Sequence, residues 1–297
     1  MKPLILKKVN LAPFTTIRIG GVAEYFCQPK SLEELKQALF FALERSLPIF
    51  VLGKGSNTIF GDFEGLVLSM KGFQGFEVKR VKEDRFLIYA EAGVSLLRLV
   101  SLSVEESLEG FYRLVGFPAT VGGAVAMNAG AFGYETSQNL KEVVFLDWEG
   151  RLNRVKKQEL SFSYRYSPFP KLGIVVGALF ELQRASYEVR DEYREIREKR
   201  LAKQPINLPT CGSTFKNPKG YYAGKLLEEV GMKGYRIGDV AFSEKHANFL
   251  INFGKGSFID ALKIINEAKL RVFERFGLSL EEEVRIVESS RAYGWKV

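Results

Sequence analysis

The chain has 297 residues, 46% hydrophobic and 26% charged, which suits one large soluble domain or two to three ordinary ones. Its 43 Lys and Arg against 35 Asp and Glu give a formal charge of +8, but the basic residues are scattered and no basic segment alternates with aromatics, so nucleic acid is the least favoured anionic partner. One histidine, His246, and two distant cysteines, Cys27 and Cys211, exclude a multi-histidine metal centre and argue against structural zinc.

The first residues, MKPLILKKVNLAPF, are basic but lack a sustained apolar core or a small-residue cleavage site. No later apolar run reaches the roughly 18 residues of a membrane span. These features predict a cytoplasmic protein without a membrane anchor.

From Thr15, TTIRIGG suggests a short β-branched strand ending in a turn, with Arg18 just before Gly20 and Gly21. Ser31 followed three residues on by Glu34 is a capping box, and Leu35, Ala38, Leu39 and Ala42 continue at helical spacing. An apolar strand, LPIFVL, then runs into Gly53, Lys54, Gly55, Ser56 and Asn57. Consecutive amides in such a loop can form an anion-binding nest, or the loop can be an ordinary glycine turn. It lacks the third glycine of a dinucleotide fingerprint. Strands at Gly65–Met70 and Arg85–Ala92 and a helix from about Ser95 to Glu105 follow.

Gly116 to Gly133, GFPATVGGAVAMNAGAFG, has glycine or alanine at ten of its 18 positions. Such a run buries little apolar area. It can lie against a flat or phosphorylated cofactor, or it can be tight turns and a helix packed closely on a sheet. Strands at Glu142–Trp148 and Gly173–Leu182 flank LSFSYRYSPF, where Tyr164 and Arg165 are either a structural stack or an anion-binding pair. Glu188 to Gln204 reads as a solvated helix laced with charge pairs and stopped by Pro205 and Pro209, where a domain boundary is expected. Then come TCGSTFKNP, a helix in YYAGKLLEEV closed by Gly231, a loop and strand around His246, and a long helix capped by Ser257 and closed by Gly277. LEEEVRIVE ends in a short strand.

Taken in order, TTIRIGG, LGKGSN, the Gly116–Gly133 run, FSYRYSPF, CGSTFKNP, AGKLLEEVGMKG with HANFLIN, and LEEEVR resemble the UDP-N-acetylenolpyruvoylglucosamine reductase (MurB) family, in its smaller type II form. The likeness runs from about Thr15 to Glu288. It implies an α+β fold: a two-part FAD-binding module of the vanillyl-alcohol-oxidase-like (PCMH) type, over residues 1–72 and 73–204, and a C-terminal α+β substrate-binding domain over 205–283. The last residues, 284–297, could return to the second part.

The resemblance implies non-covalent FAD, NADPH as co-substrate, and reduction of UDP-N-acetylglucosamine enolpyruvate to UDP-N-acetylmuramate by a monomeric cytoplasmic enzyme that binds neither nucleic acid nor membrane. Hydride reaches C3 of the enolpyruvyl group by way of the flavin, and an enzyme acid protonates C2. Position by position, that acid falls on Ser213, the catalytic arginine on Arg165 and the catalytic glutamate on Glu283. Arg18, the loop Gly53, Lys54, Gly55, Ser56 and Asn57, and Gly116, Pro118, Thr120, Gly122, Gly123, Ala124, Asn128, Gly130 and Ala131 would hold the cofactor. Tyr164, Lys216, Asn217 and His246 would meet the substrate.

Elementary chemistry agrees. Hydride addition at C3 drives negative charge toward C2 and the carboxylate, where a guanidinium can grip bidentately. A buried, protonated Glu283 could donate a hydrogen bond to that enol form. Two departures stand out: Ala119–Thr120 replaces the family's Gly-Ser, and Cys211 replaces a common alanine, so alkylation at Cys211 is expected to inhibit. Another FAD oxidoreductase of this fold, acting on a sugar or alcohol, is the alternative.

Overall fold

The computed structural model describes residues 3–289. The first stretch contains β1 (Ile5–Asn10), β2 (Val22–Cys27), α1 (Leu32–Leu43), β3 (Ile49–Leu52), β4 (Thr58–Phe60) and β5 (Phe63–Ser69). The second holds β6 (Phe76–Arg80), β7 (Arg85–Glu91), α2 (Leu96–Glu105), α3 (Val121–Met127), β8 (Gly130–Ala131), β9 (Tyr134–Glu135), β10 (Leu140–Asp147), β11 (Leu152–Lys156), α4 (Phe169–Leu172), β12 (Gly173–Gln183) and α5 (Val189–Lys203). The third has β13 (Thr210–Ser213), α6 (Ala223–Glu229), β14 (Arg236–Ile237), β15 (Val240–Phe242), β16 (Phe249–Asn252), α7 (Phe258–Phe276) and β17 (Arg285–Val287).

Three sheets carry the fold, in the orders β1-β2-β5-β3, β11-β10-β12-β7-β6 and β13-β16-β15-β14. In the first, β5 lies parallel to both β2 and β3, with α1 as the crossover between β2 and β3. Ser31 starts that helix by accepting the Glu34 amide at 3.2 Å, and Leu35, Ala38, Leu39 and Ala42 turn inward. They join Leu66 and Leu68 in one apolar core that continues through Phe86, Leu99 and Phe180 of the second region. The two FAD-module parts drawn from the sequence therefore share a core. A second core fills the third region, and takes Ile17, Ile19 and Ile59 from the first.

Two elements differ from the sequence pattern. Thr15–Ile19 is not a strand: the Thr15 hydroxyl donates to the Ile19 carbonyl at 3.0 Å and Arg18 takes φ +59°, so the segment is a tight loop and the strand begins only at Val22. Its β-branched residues are buried by the third region's core instead of by a ladder. At the other end, β17 pairs in parallel with β4 of the first region, not with the second sheet. Residues 290–297 of the segment offered to that sheet lie outside those described.

Candidate active site

A cleft of about 620 Å³ opens between the first two regions. Phe50 and Val51 of β3, Gly53, Ala92 just after β7, and Thr120, Gly122 and Gly123 at the start of α3 form its walls. Thr120 caps α3 by accepting the Gly123 amide at 3.4 Å. A Cβ on Gly53 would sit 2.5 Å from the Thr120 hydroxyl, so the two glycine-bearing turns pack directly on each other.

The loop after β3 is the more open to a ligand. None of the amides of Lys54, Gly55, Ser56 and Asn57 donates to another described residue, although Gly55 is buried with φ +71°. Adjacent unpaired amides around a left-handed residue favour an anion. On α3 the amides are committed: Val121 donates to the Val94 carbonyl and Gly122 to the Ala92 carbonyl, each at 2.9 Å. A diphosphate thus fits the 53–57 loop, while the Gly-Ala run gives the smooth, small-residue wall that a flat ring system needs.

Several sequence candidates have other work. Asn128 is fully buried, and its side chain donates to Glu135 and the Ser163 carbonyl and accepts the Ser137 amide. Ala124 lies in the shared core and Gly130 in the β8–β9 hairpin. Ala131 is half-buried in that hairpin, while Gly116, Pro118, Arg18 and Lys54 are exposed. None of these lines the cleft.

A second cleft, about 890 Å³, lies over the third region and contains Ser213, Asn217 and His246. Asn217 accepts the Ala223 amide at 3.0 Å, at the start of α6. His246 accepts the Asn248 amide on Nδ1 at 3.2 Å, which places its proton on Nε2, and burial holds its pKa below the ordinary 6.5. Lys216 pairs with Glu281. Sequence reasoning missed Lys203 and Lys245 in this cleft, and Arg200 one turn before Lys203 on α5.

Arg200 is 7% exposed, its guanidinium stacked 4.3 Å from the Phe117 ring. Its buried Nε–H has no partner among the described residues, and burial brings its pKa down to about 10. A donor left so beside the Gly116–Pro118 loop suits a ligand rich in acceptors.

The segments meet at Glu283. Its Oε1 accepts from Arg165 Nε at 2.5 Å, with both side chains largely buried. Its amide donates to the Thr214 carbonyl at 2.8 Å, next to Ser213, and its carbonyl accepts from Asn57 Nδ2 at 2.9 Å. Burial raises the Glu283 pKa above the usual 4.5, against the pull of Arg165. Arg165 holds φ +54° and stacks on Tyr164 at 4.9 Å. Its Nε is engaged by Glu283, and its Nη groups have no hydrogen-bond partner among the described residues, which suits them to a carboxylate. Cys211, though adjacent, is 1% exposed with its pKa pushed up to about 12, so an alkylating reagent does not reach a thiolate there, contrary to the sequence expectation.

Residues 204–287 match the family described as "UDP-N-acetylenolpyruvoylglucosamine reductase, C-terminal domain", and residues 23–156 match an FAD binding domain. The UDP-N-acetylenolpyruvoylglucosamine reductase of Aquifex aeolicus is 55% identical over 294 residues, covering 99% of each chain. The chain belongs to the UDP-N-acetylenolpyruvoylglucosamine reductase family. The enzyme of that name from Caldanaerobacter subterraneus is 40% identical over 92% of this chain and 90% of its own. The crystal structure of the family member from Thermus caldophilus superposes with a TM-score of 0.80 at 32% identity, over 96% of this chain and all of that one. The segment matched by the FAD binding domain, residues 23–156, supplies most of the walls of the first cleft.

Proposed function

We infer that the protein reduces the enolpyruvyl group of UDP-N-acetylglucosamine enolpyruvate to give UDP-N-acetylmuramate, a step of peptidoglycan precursor synthesis, in the cytoplasm and with NADPH as reductant. The observation that carries this is the convergence on Glu283 of Asn57, Arg165 and the carbonyl of Thr214, the residue after Ser213. When bound, FAD supplies the two-electron carrier between NADPH and substrate. The 53–57 amides would hold its diphosphate.

The chain's own residues supply the rest. Hydride arriving at C3 of the enolpyruvyl group leaves negative charge spread over C2 and the carboxylate. The Nη groups of Arg165 bind that carboxylate, and the hydrogen bond that Nε donates to Glu283 Oε1 fixes the fork's direction. Protonated Glu283 donates to the enolate oxygen, which lowers the energy of the charge-separated form. Ser213, whose hydroxyl has no partner among the described residues, gives its proton to C2. His246, neutral through burial, presents Nε2–H to the polar part of the substrate.

The test separates the two halves of the reaction. Purified protein should be yellow, and its NADPH oxidation should require the enolpyruvyl substrate. Ser213→Ala should leave flavin reduction by NADPH intact and lower turnover by roughly 10²- to 10⁴-fold, the range of a lost general acid. Unchanged turnover would remove Ser213 from this role.

Glu283 carries a pH signature. With its folded pKa above 4.5, its contribution to stability is full at low pH and is lost as pH rises through the folded value. Thermal melts of Glu283→Gln should lack that downward slope, so the wild-type minus variant difference should fall with pH. A difference that rises with pH would mean that the Arg165 pair, not burial, governs this carboxyl.

A further inference from the structure

Among the described residues the Ser213 hydroxyl has no hydrogen-bond partner to fix it, so its position rests on its backbone. On its N-terminal side the β13–β16 register shifts between the Thr210↔Ile251 and Ser213↔Phe249 pairs, with Gly212 at φ +77°. That bulge turns Ser213 out toward the cleft. Beyond Ser213 one side of the chain pairs with residues 281–284, while on the other side the ladder with β16 stops and another group must hold it.

That group is Asn248. It is 3% exposed, and its side-chain amide is bonded on both sides to one residue: Oδ1 accepts the Phe215 amide at 2.9 Å and Nδ2 donates to the Phe215 carbonyl at 2.8 Å. Its own carbonyl accepts the Thr214 amide at 2.8 Å. The side chain thus prolongs the strand pairing by one residue where backbone pairing has ended. The Thr214 carbonyl in turn accepts the amides of Glu283 at 2.8 Å and Val284 at 3.2 Å. Asn248 therefore holds one side of the Thr214–Phe215 segment, whose other side pairs with residues 281–284, and so ties the backbone of Ser213 to that of Glu283.

We propose that Asn248, which lies at the wall of the second cleft with its side-chain amide committed to Phe215, is a positioning residue for the protonation step that holds Ser213 and Glu283 in register. The asparagine amide offers a donor and an acceptor in this fixed plane at any pH; leucine fills the volume but leaves two buried backbone groups of Phe215 unsatisfied. The proposal rests on the assignment of Ser213 as acid.

Asn248→Asp gives the sharpest test, on FAD-loaded enzyme. Its ionised form sets an oxygen against the Phe215 carbonyl, whereas its protonated form can accept and donate as the amide does. At pH 8 turnover should fall about 10- to 100-fold while flavin reduction by NADPH stays within about twofold and KM for NADPH is unchanged. Turnover relative to wild type should recover as pH falls, and taking the ratio removes what His246 and Glu283 contribute in both proteins. Asn248→Ala should show the loss without the recovery.

Parallel loss of both half-reactions, or equal pH profiles for the Asp and Ala variants, would make Asn248 merely structural and overturn the proposal. If Asn248→Asp does not retain FAD, Asn248→Ser, which leaves room for a bridging water, takes its place and must still split the half-reactions. Ser213→Ala run alongside keeps the two ideas apart. If it retains full turnover, the assignment of the acid fails; if it loses turnover and Asn248→Asp does not, positioning by Asn248 fails.

Discussion

Two glycine-rich stretches, 53–57 and 116–133, look alike in sequence and behave differently in the fold. In the first, four successive residues leave their amides without partners among the described residues, and the loop is a polar cradle. In the second, the amides of Val121 and Gly122 are bound to the carbonyls of Val94 and Ala92, and the small residues serve closeness. A Cβ on Gly122 would lie 2.7 Å from the Ala92 Cβ, whereas one on Gly123 would find only the Thr120 hydroxyl at 3.4 Å. Glycine content alone therefore says nothing about which stretch binds charge; the bookkeeping of N–H groups does.

Three substitutions sharpen this contrast. The largest effect should come from Gly55→Ala, where the new methyl would meet the Phe14 carbonyl at 2.1 Å on a backbone of φ +71°. Destabilisation of about 3 kcal/mol or more and loss of FAD from the purified protein are expected. An intact yellow protein would show that the loop can relax.

Gly122→Ala should cost about 1–3 kcal/mol of stability in denaturant melts of the apoprotein, because helix and strand must separate. Its FAD affinity should follow that loss and no more. Gly123→Ala should do the opposite: apoprotein stability unchanged or higher by up to about 1 kcal/mol, from the better helix former, with FAD bound roughly tenfold more weakly. Equal behaviour of the two variants in titrations with FAD would erase the distinction between a packing glycine and a lining one.

Local chemistry made much of the fold legible. Ser31 and Ser257 cap their helices as their sequences suggest, and Gly231 and Gly277 end theirs at φ +74° and +66°. The motifs around Arg165, Ser213 and Glu283 announced themselves only as members of an ordered set; each alone is an ordinary turn or surface charge. The failures are tertiary. Thr15–Ile19 has strand composition, but its side chains are drawn into a neighbouring region's core. Asn128 resembles a cofactor ligand because nothing local reveals that its three polar contacts come from residues 7 to 35 positions away. Arg200 sits in a helix where Glu and Arg recur at every turn, and only the approach of Phe117 distinguishes it from its solvated neighbours.

The pairing of β17 with β4, and the Asn57–Glu283 bond beside it, also order events in time. The two ends of that bond are 226 residues apart. During synthesis the chain therefore presents β4 and the loop before it long before their partner exists, and neither the Asn57 contacts nor the Arg285 wall of the first cleft can form until β17 has been made. Closure of the first region is then among the late events of folding, set by a contact of long sequence separation and not by the local elements that precede it.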